Sequence, residues 1–345
     1  MKSAQGIIAF SIFLILNGCA SITPYKMEVL RPATITIPPQ IKSVVIINNA
    51  TPKVDSVEVH IVAGSKFVRY SPEVVDSFGT FAINECQREL ARRQFFDTVF
   101  IDTTKRHSSF IAESLKTQKQ LMEICQLNHT DAAIILESYD YQPFLEYTQL
   151  GENAYTFNQK VEGKAVWTLY SLDADSILSR YVQTDSLFWD NYAFSLTYPV
   201  DGIPSLTESF NQIASRLGFF YCDFIAPYWD RVNRFYHSNG SSYFGMATEQ
   251  VKLNKWDEAS KIWFFIYKNG SKLDKAKAAH NIALAKEVLG DFKSAASWAY
   301  ESMNLYEKLH GVFNVENKER EKLYYIDISK RYFDSKKLSK QIGGE

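Results

Sequence analysis

The sequence lacks an excess of either charge: 38 lysines and arginines stand against 39 aspartates and glutamates, a net charge of −1 over 345 residues. A surface for nucleic acid or for anionic lipid needs a basic stripe, so neither partner is expected through charge. Metal-ligand spacing is missing too. There is no Cys-x-x-Cys, and the six histidines (His60, His107, His129, His237, His280, His310) form no His-x-x-x-His pair, so no metal is expected. Nucleophile elbows, phosphate loops and glycine-rich dinucleotide turns are likewise absent, which points away from an enzyme and from any cofactor. The apolar run from Ile7 to Leu16 is too short for a bilayer span of ~20 residues.

That run follows Lys2 and leads into Leu16-Asn17-Gly18-Cys19, the order of a secretory signal over residues 1–18. The four residues resemble the lipobox of bacterial lipoproteins. The resemblance implies a diacylglyceryl thioether on Cys19, an acylated (palmitate-type) amino terminus and a membrane partner through that lipid. Several acyl chains give stable anchoring where one is marginal. Ala20 follows, with no acidic residue beside the cysteine. In the familiar sorting pattern this implies the outer membrane, and the lack of an acidic run favours its periplasmic face. Residues 19–32 are expected to be anchor and tether.

Beyond Cys19, three cysteines remain in an oxidising compartment. Cys86, Cys125 and Cys222 fall on apolar helix faces, so they are read as small buried hydrophobes, with a Cys86–Cys125 bridge as the alternative.

The chain then divides. Ala33–Ile37 alternates before Pro38-Pro39 and is expected as an edge strand. Ser43–Ile47 is a continuous β-branched run, expected at the centre of a sheet, and residues 51–69 as an excursion or poor hairpin. Helical spacing over Pro72–Arg93 and Lys116–Leu127 precedes strands at Thr98–Ile101 and Ala132–Leu136, an order that favours parallel pairing. A hairpin follows, Val161–Leu172 and Ser179–Trp189 around Asp173-Ala174-Asp175-Ser176. Tyr181, Gln183 and Asp185 are read as its watery side. Ser205 and Glu208 have capping-box spacing ahead of an apolar stripe through Leu206, Phe210, Ile213, Leu217 and Tyr221. Residues 33–235 are thus expected to form an α/β domain, a mixed sheet with packed helices. This order resembles TolB amino-terminal regions and the curli-secretion lipoprotein, which implies a periplasmic binding or assembly module.

From Tyr243 helix formers dominate. Trp256 with Ala259 and Phe292 with Ala295 recur about 36 residues apart, near the ~34 of the tetratricopeptide repeat. Ile282, Ala283, Gly290, Ala299 and Ser302 extend the resemblance, while Lys286 departs from it. Residues 243–335 are therefore expected to be an all-α, tetratricopeptide-like array, with Leu323, Ile326 and Phe333 on the apolar face of a terminal cap and 336–345 frayed. Such an array is expected to leave a concave face free for a peptide or helix. Trp263, Phe264, Phe265 and Tyr267 exceed what one buried helix face holds and are candidate protein-binding residues. Glu137 and Asp140, at the carboxyl end of a parallel strand, are candidate ligand-binding residues.

Glu28-Val29-Leu30-Arg31-Pro32-Ala33 and Ile35-Thr36-Ile37-Pro38 resemble uncharacterised lipoproteins of Bacteroidota. The expected function is a non-enzymatic adaptor or assembly factor for another cell-envelope protein. The alternatives are a glycan- or peptidoglycan-binding lipoprotein and an unrecognised hydrolase. Labelled palmitate should enter the wild-type protein and not Cys19→Ala, and the variant should leave the outer-membrane fraction; incorporation without Cys19 would overturn the anchoring.

Overall fold

A computed structural model describes residues 22–51, 59–63, 66–70, 77–102, 118–152, 154–196, 198–309 and 314–343. Cys19 and the segment expected to be a signal lie outside them. The described chain forms two compact units, one of residues 32–228 with 341–343, the other of residues 22–31 with 229–340. The first is a mixed sheet with packed helices, and the second holds five helices and a two-stranded ribbon.

In the first unit, β2 (Ser43–Asn48) lies between β5 (Thr98–Ile101) and β6 (Ala132–Gly151), parallel to both. Its β-branched run is buried on both faces. Val44 and Ile46 join the core under α1 (Phe78–Arg93) and α3 (Leu206–Ile225), while Val45 and Ile47 pack with α2 (Gln118–Leu127). The region 51–69 contains a hairpin, β3 (Val59–Ala63) with β4 (Lys66–Tyr70), and β3 runs parallel to the distal part of β6.

The main surprise of this sheet is length. β6 runs on from the expected Ala132–Leu136 to Gly151, and pairs antiparallel with β7 (Ala154–Ser171), which pairs with β8 (Ser176–Ala193). Length was hidden because β6 changes its apolar parity. Ile134 and Leu136 face the α1/α3 core, yet farther along Tyr139, Tyr141, Leu145 and Tyr147 do so. Glu137 is the extra residue of a β-bulge between Leu136 and Ser138, and one added residue moves every later side chain to the other face.

Helix α3 starts at the expected capping box: Glu208 N donates to Ser205 Oγ, and Ser205 N to Glu208 Oε2. It packs closely because Gly163 leaves room for Ile213 and Leu217, and Gly218 lies against the Ala82 backbone of α1. Packing of α3 reverses one expectation for β8. Tyr181, Gln183 and Asp185 face this helix, with Asp185 paired to Arg216 and Gln183 buried; Val182, Thr184, Ser186 and Phe188 face out.

Three further expectations are corrected. Ala33–Ile37 is not a strand; between Pro32 and Pro38 its Thr34 and Ile35 amides donate to Asp223 and Phe224 carbonyls at the end of α3. Ile22–Arg31, expected as a tether, is strand β1, hydrogen-bonded to β9 (Tyr228–His237). Cys86 and Cys125 sit in cores on opposite faces of the sheet, so they cannot bridge. All three cysteines are buried and free, with Cys86 and Cys222 sulfurs 3.8 Å apart. Burial pushes the Cys125 thiol up to about 11.

Asp131 ties β6 to β2. Its Oδ2 accepts from Lys42 N, Ser43 N and Ser43 Oγ, each at 2.8 Å. Partial burial raises the carboxyl, but the Ser43 and Lys42 bonds outweigh that and hold it below the usual range. A depressed folded pKa gives stability that is present above the unfolded value of ~3.9 and is lost as pH falls through the folded one. Asp131→Ala should therefore cost about 2 kcal/mol at neutral pH in urea unfolding, and the gap to wild type should close below that folded pKa.

Candidate functional site

The helical unit comprises α4 (Ser242–Lys252), α5 (Trp256–Asn269), α6 (Lys272–Val288), α7 (Phe292–Glu307) and α8 (Asn314–Gln341). Two turns place left-handed residues where the sequence spacing expects tight corners, Asn254 (φ 57°) and Gly290 (φ 79°). Ser271 caps α6 through Asp274 N, and Asp291 caps α7 through Ser294 N. Small residues let the helices approach, with Ala259, Ala283, Ala295 and Ala299 fully buried.

One face of α6 is occupied by the chain itself. Asn281 reads the backbone of β9 as a strand would: its Oδ1 accepts from His237 N and its Nδ2 donates to His237 O, both at 2.7 Å. The preceding residue, His280, bonds the Phe235 carbonyl through Nε2 and Glu321 of α8 through Nδ1. Glu287 is fully buried and takes a bidentate pair from Arg234 of β9 (2.9 and 3.0 Å) and a third bond from Arg331 of α8 (3.0 Å). Burial pulls both guanidiniums down. Glu287 more than reverses this for Arg234, held above the usual arginine range, and only in part for Arg331. Burial, with Glu287 nearby, also pushes the Tyr324 phenol well up.

Arg31 of β1 sits beside this cluster, within 3.1 to 3.6 Å of Asp230, Asp327 and Asp334. The arginine of the Glu28–Ala33 motif is therefore part of the core of the helical unit. These pairs invert the expected cap. Leu323, Ile326 and Phe333 are exposed, and the buried stripe of α8 runs through Glu321, Tyr324, Ile328 and Arg331, because it meets charged partners. The helix also continues through the residues expected to fray, as far as Gln341.

The candidate aromatic residues separate. Trp263 is completely buried among Trp256, Tyr236 and Ile266 and cannot contact a partner. Phe264 and Phe265 are nearly half exposed. Phe264 and Tyr267 meet Trp298 of α7 edge-on, with centroids 6.1 and 4.9 Å apart, Lys268 lies over both rings, and Tyr267 donates to Glu301. Sequence counting found the excess of rings but not which ones turn outward. The i, i+3 spacing of Trp256, Ala259 and Ile262 beside Trp263 and Ile266 held that information. It missed Trp298, a helix away.

The candidate carboxylates separate as well. On the open face of the β6–β7–β8 sheet, Asp140, Gln142, Glu162, Lys164, Thr184 and Ser186 line a shallow groove of about 600 Å³. Phe144, Lys160 and Phe188 form the next rung. Glu137 is not among the lining residues; the bulge commits it to Thr168 and to Arg180 Nε.

Among the described residues no helix is long and apolar enough to cross a membrane. A family model described as a domain of unknown function, DUF8603, matches residues 41–237, more than half of the chain. The chain belongs to the DUF8603 family. A second domain of unknown function, DUF6340, matches residues 245–330, within the five helices. Neither description names a tetratricopeptide or a lipoprotein family, so the resemblances drawn from the sequence are not confirmed by them. Three solved structures are similar to parts of the chain. A Xanthomonas campestris protein of the DUF330 family is 9% identical over 56% of this chain and 91% of its own, with a TM-score of 0.24. The LpoB C-terminal domain from Salmonella enterica is 12% identical over 42% and 83%, with a TM-score of 0.18. A hypothetical protein from Chlamydia trachomatis is 13% identical over 52% and 99%, with a TM-score of 0.22. No curated protein matches.

Side chains on the two sides of α5 should respond oppositely to truncation. Trp263→Ala should cost about 3–5 kcal/mol in equilibrium unfolding, and Phe264→Ala less than about 1 kcal/mol. Glu287→Ala, which strands buried arginines, should also cost about 3–5 kcal/mol.

Proposed function

We propose that the chain is a non-enzymatic lipoprotein, anchored to the periplasmic face of the outer membrane through Cys19, that binds another envelope protein through its helical unit. The observation that carries this reading is the aromatic cluster of Phe264, Tyr267 and Trp298 with Lys268 above the rings. Phe264 is exposed, and Tyr267 and Trp298 are half-buried beside it; aromatic surface of this kind is what protein partners anchor on, and Lys268 favours a partner that brings a carboxylate beside its apolar side chains. Because β9 fills the α6 face, recognition falls to this outer surface. The anchor fits the same picture. Ile22 opens β1 three residues after Cys19, so the lipid is joined to the helical unit, and that unit is the one held near the membrane.

A second reading, glycan binding, has one observation in its favour: the groove through Asp140 and Gln142 is polar and is bordered by exposed Phe144 and Phe188. Carboxylates and amides suit sugar hydroxyls, and ring faces suit sugar C–H groups.

Crosslinking in native membranes with mass spectrometry separates the two. The adaptor reading expects a reproducible envelope partner that is lost in Phe264→Ala/Trp298→Ala and retained in Phe144→Ala/Phe188→Ala. Retention on a peptidoglycan column that only the second pair abolishes, with no partner dependent on the first, would replace it with the glycan reading.

A further inference from the structure

Strand β8 is the long outer edge of the first unit. It spans 18 residues, about 60 Å of extended backbone, and among the described residues no strand pairs with its outer side. The other outer strands, β4 and β5, have five and four residues. Edge strands normally carry short length, lysine or proline as protection against pairing. From Ser176 to Ala193 there is no lysine, proline or glycine, and the bulge lies at one end, beside Leu178. Apart from the Ser186 and Tyr192 amides, which donate to the Asp185 and Asn191 side chains, this edge carries none of these protections.

Its charges show what fits it. The strand carries Arg180, Asp185 and Asp190, with Asp185 midway between the other two. We infer that β8 pairs antiparallel with β8 of a second copy of this chain, about a two-fold axis at Asp185, which continues the sheet from one copy into the other. Antiparallel pairing about that axis sets Arg180 of each copy opposite Asp190 of the other, on the open face of the sheet. It also keeps parity, because residues equally far from Asp185 point to the same face. Val182 then lies opposite Phe188 on the open face, covering two apolar side chains about half exposed in one copy, and Tyr181 lies opposite Trp189 on the helix face.

The ionic partners are ready for this. Asp190 is exposed and has no ion pair among the described residues, and Arg180 gives Glu137 its Nε while more than half of its side chain remains exposed. The two Asp185 carboxylates meet at the axis, each neutralised by Arg216 of its own α3. Shifting the axis by one residue to Thr184 sets Arg180 opposite Phe188 and leaves Asp190 without a cation. Charge therefore selects one register. The surface is separate from the aromatic cluster on α5 and α7, so the two readings fail independently.

Sedimentation velocity on the full chain in detergent tests the pairing. The wild type should show a monomer–dimer equilibrium. Arg180→Asp and Asp190→Arg should each weaken dimerisation about tenfold or more, and the double exchange Arg180→Asp/Asp190→Arg should restore it. Phe188→Lys, a surface change that leaves the thermal melt in place, should give monomers. Asp185→Cys should form a disulfide between copies on oxidation with oxidised glutathione. A chain that stays monomeric at the highest soluble concentration, or a dimer indifferent to both charge reversals, overturns the inference.

Discussion

A carboxylate with no access to water governs the helical unit. Arg234 and Arg331 both close around Glu287 at that depth, and removing the carboxylate would strand buried guanidiniums at a cost of several kcal/mol. The three residues come from α6, β9 and α8, so these elements are stable together or not at all. Arg31 extends the dependence to β1, nearly 200 residues from Asp230 in sequence. The α/β unit is thus an insertion between two strands of one ribbon, and the helices are completed by a segment that precedes it. Buried ion pairs of this density contribute little net stability over an apolar core. What they fix is register: a one-residue slip of β9 would turn Arg234 away from Glu287 and present Asn233 or Phe235 instead.

The α/β unit is governed by sterics instead. Gly163 and Gly218 allow α3 to approach both β7 and α1 at distances a Cβ would forbid, and Trp167 and Tyr221 stack in the space so formed. The bulge at Glu137 serves the same end. It turns the distal tyrosines of β6 into the core while leaving Asp140 and Gln142 outside. Core and groove are therefore two faces of one backbone irregularity.

How much of this was legible follows from the same physics. The central strand, the capping box of α3, the α5 and α7 starts and the turn at Gly290 were all readable, because each rests on local pattern or local backbone chemistry. β1 was half readable: Tyr25, Met27 and Val29 alternate with Pro24, Lys26 and Glu28, yet a tether was the reading favoured by the lipobox-like sequence at Cys19. β9 was not readable. Its inward residues include Asp230 and Arg234, which look like a solvent face until their partners on α6 and α8 are known. The same blindness misassigned α8, whose exposed apolar residues and buried charged ones reverse the usual amphipathic order. For the site, counting rings located the correct helix, but Trp263 and Phe264 are adjacent in sequence and opposite in fate, and only packing distinguishes them.

The filled α6 face also decides where recognition is feasible. A peptide seeking that surface would displace β9, forfeit both Asn281 bonds to the His237 backbone and strip Arg234 from Glu287. Each buried group left unpaired carries its own desolvation cost, so a competing strand would have to supply an arginine at the matching position merely to break even. Binding to Phe264, Tyr267 and Trp298 requires no such exchange. Those rings already contact solvent, and their edge-to-face contacts and the Tyr267–Glu301 hydrogen bond hold them in place before any partner arrives. Little ordering entropy then remains to be lost on association. The polar seam that closes one side of the array thereby leaves the outer side as the surface where a partner can gain free energy.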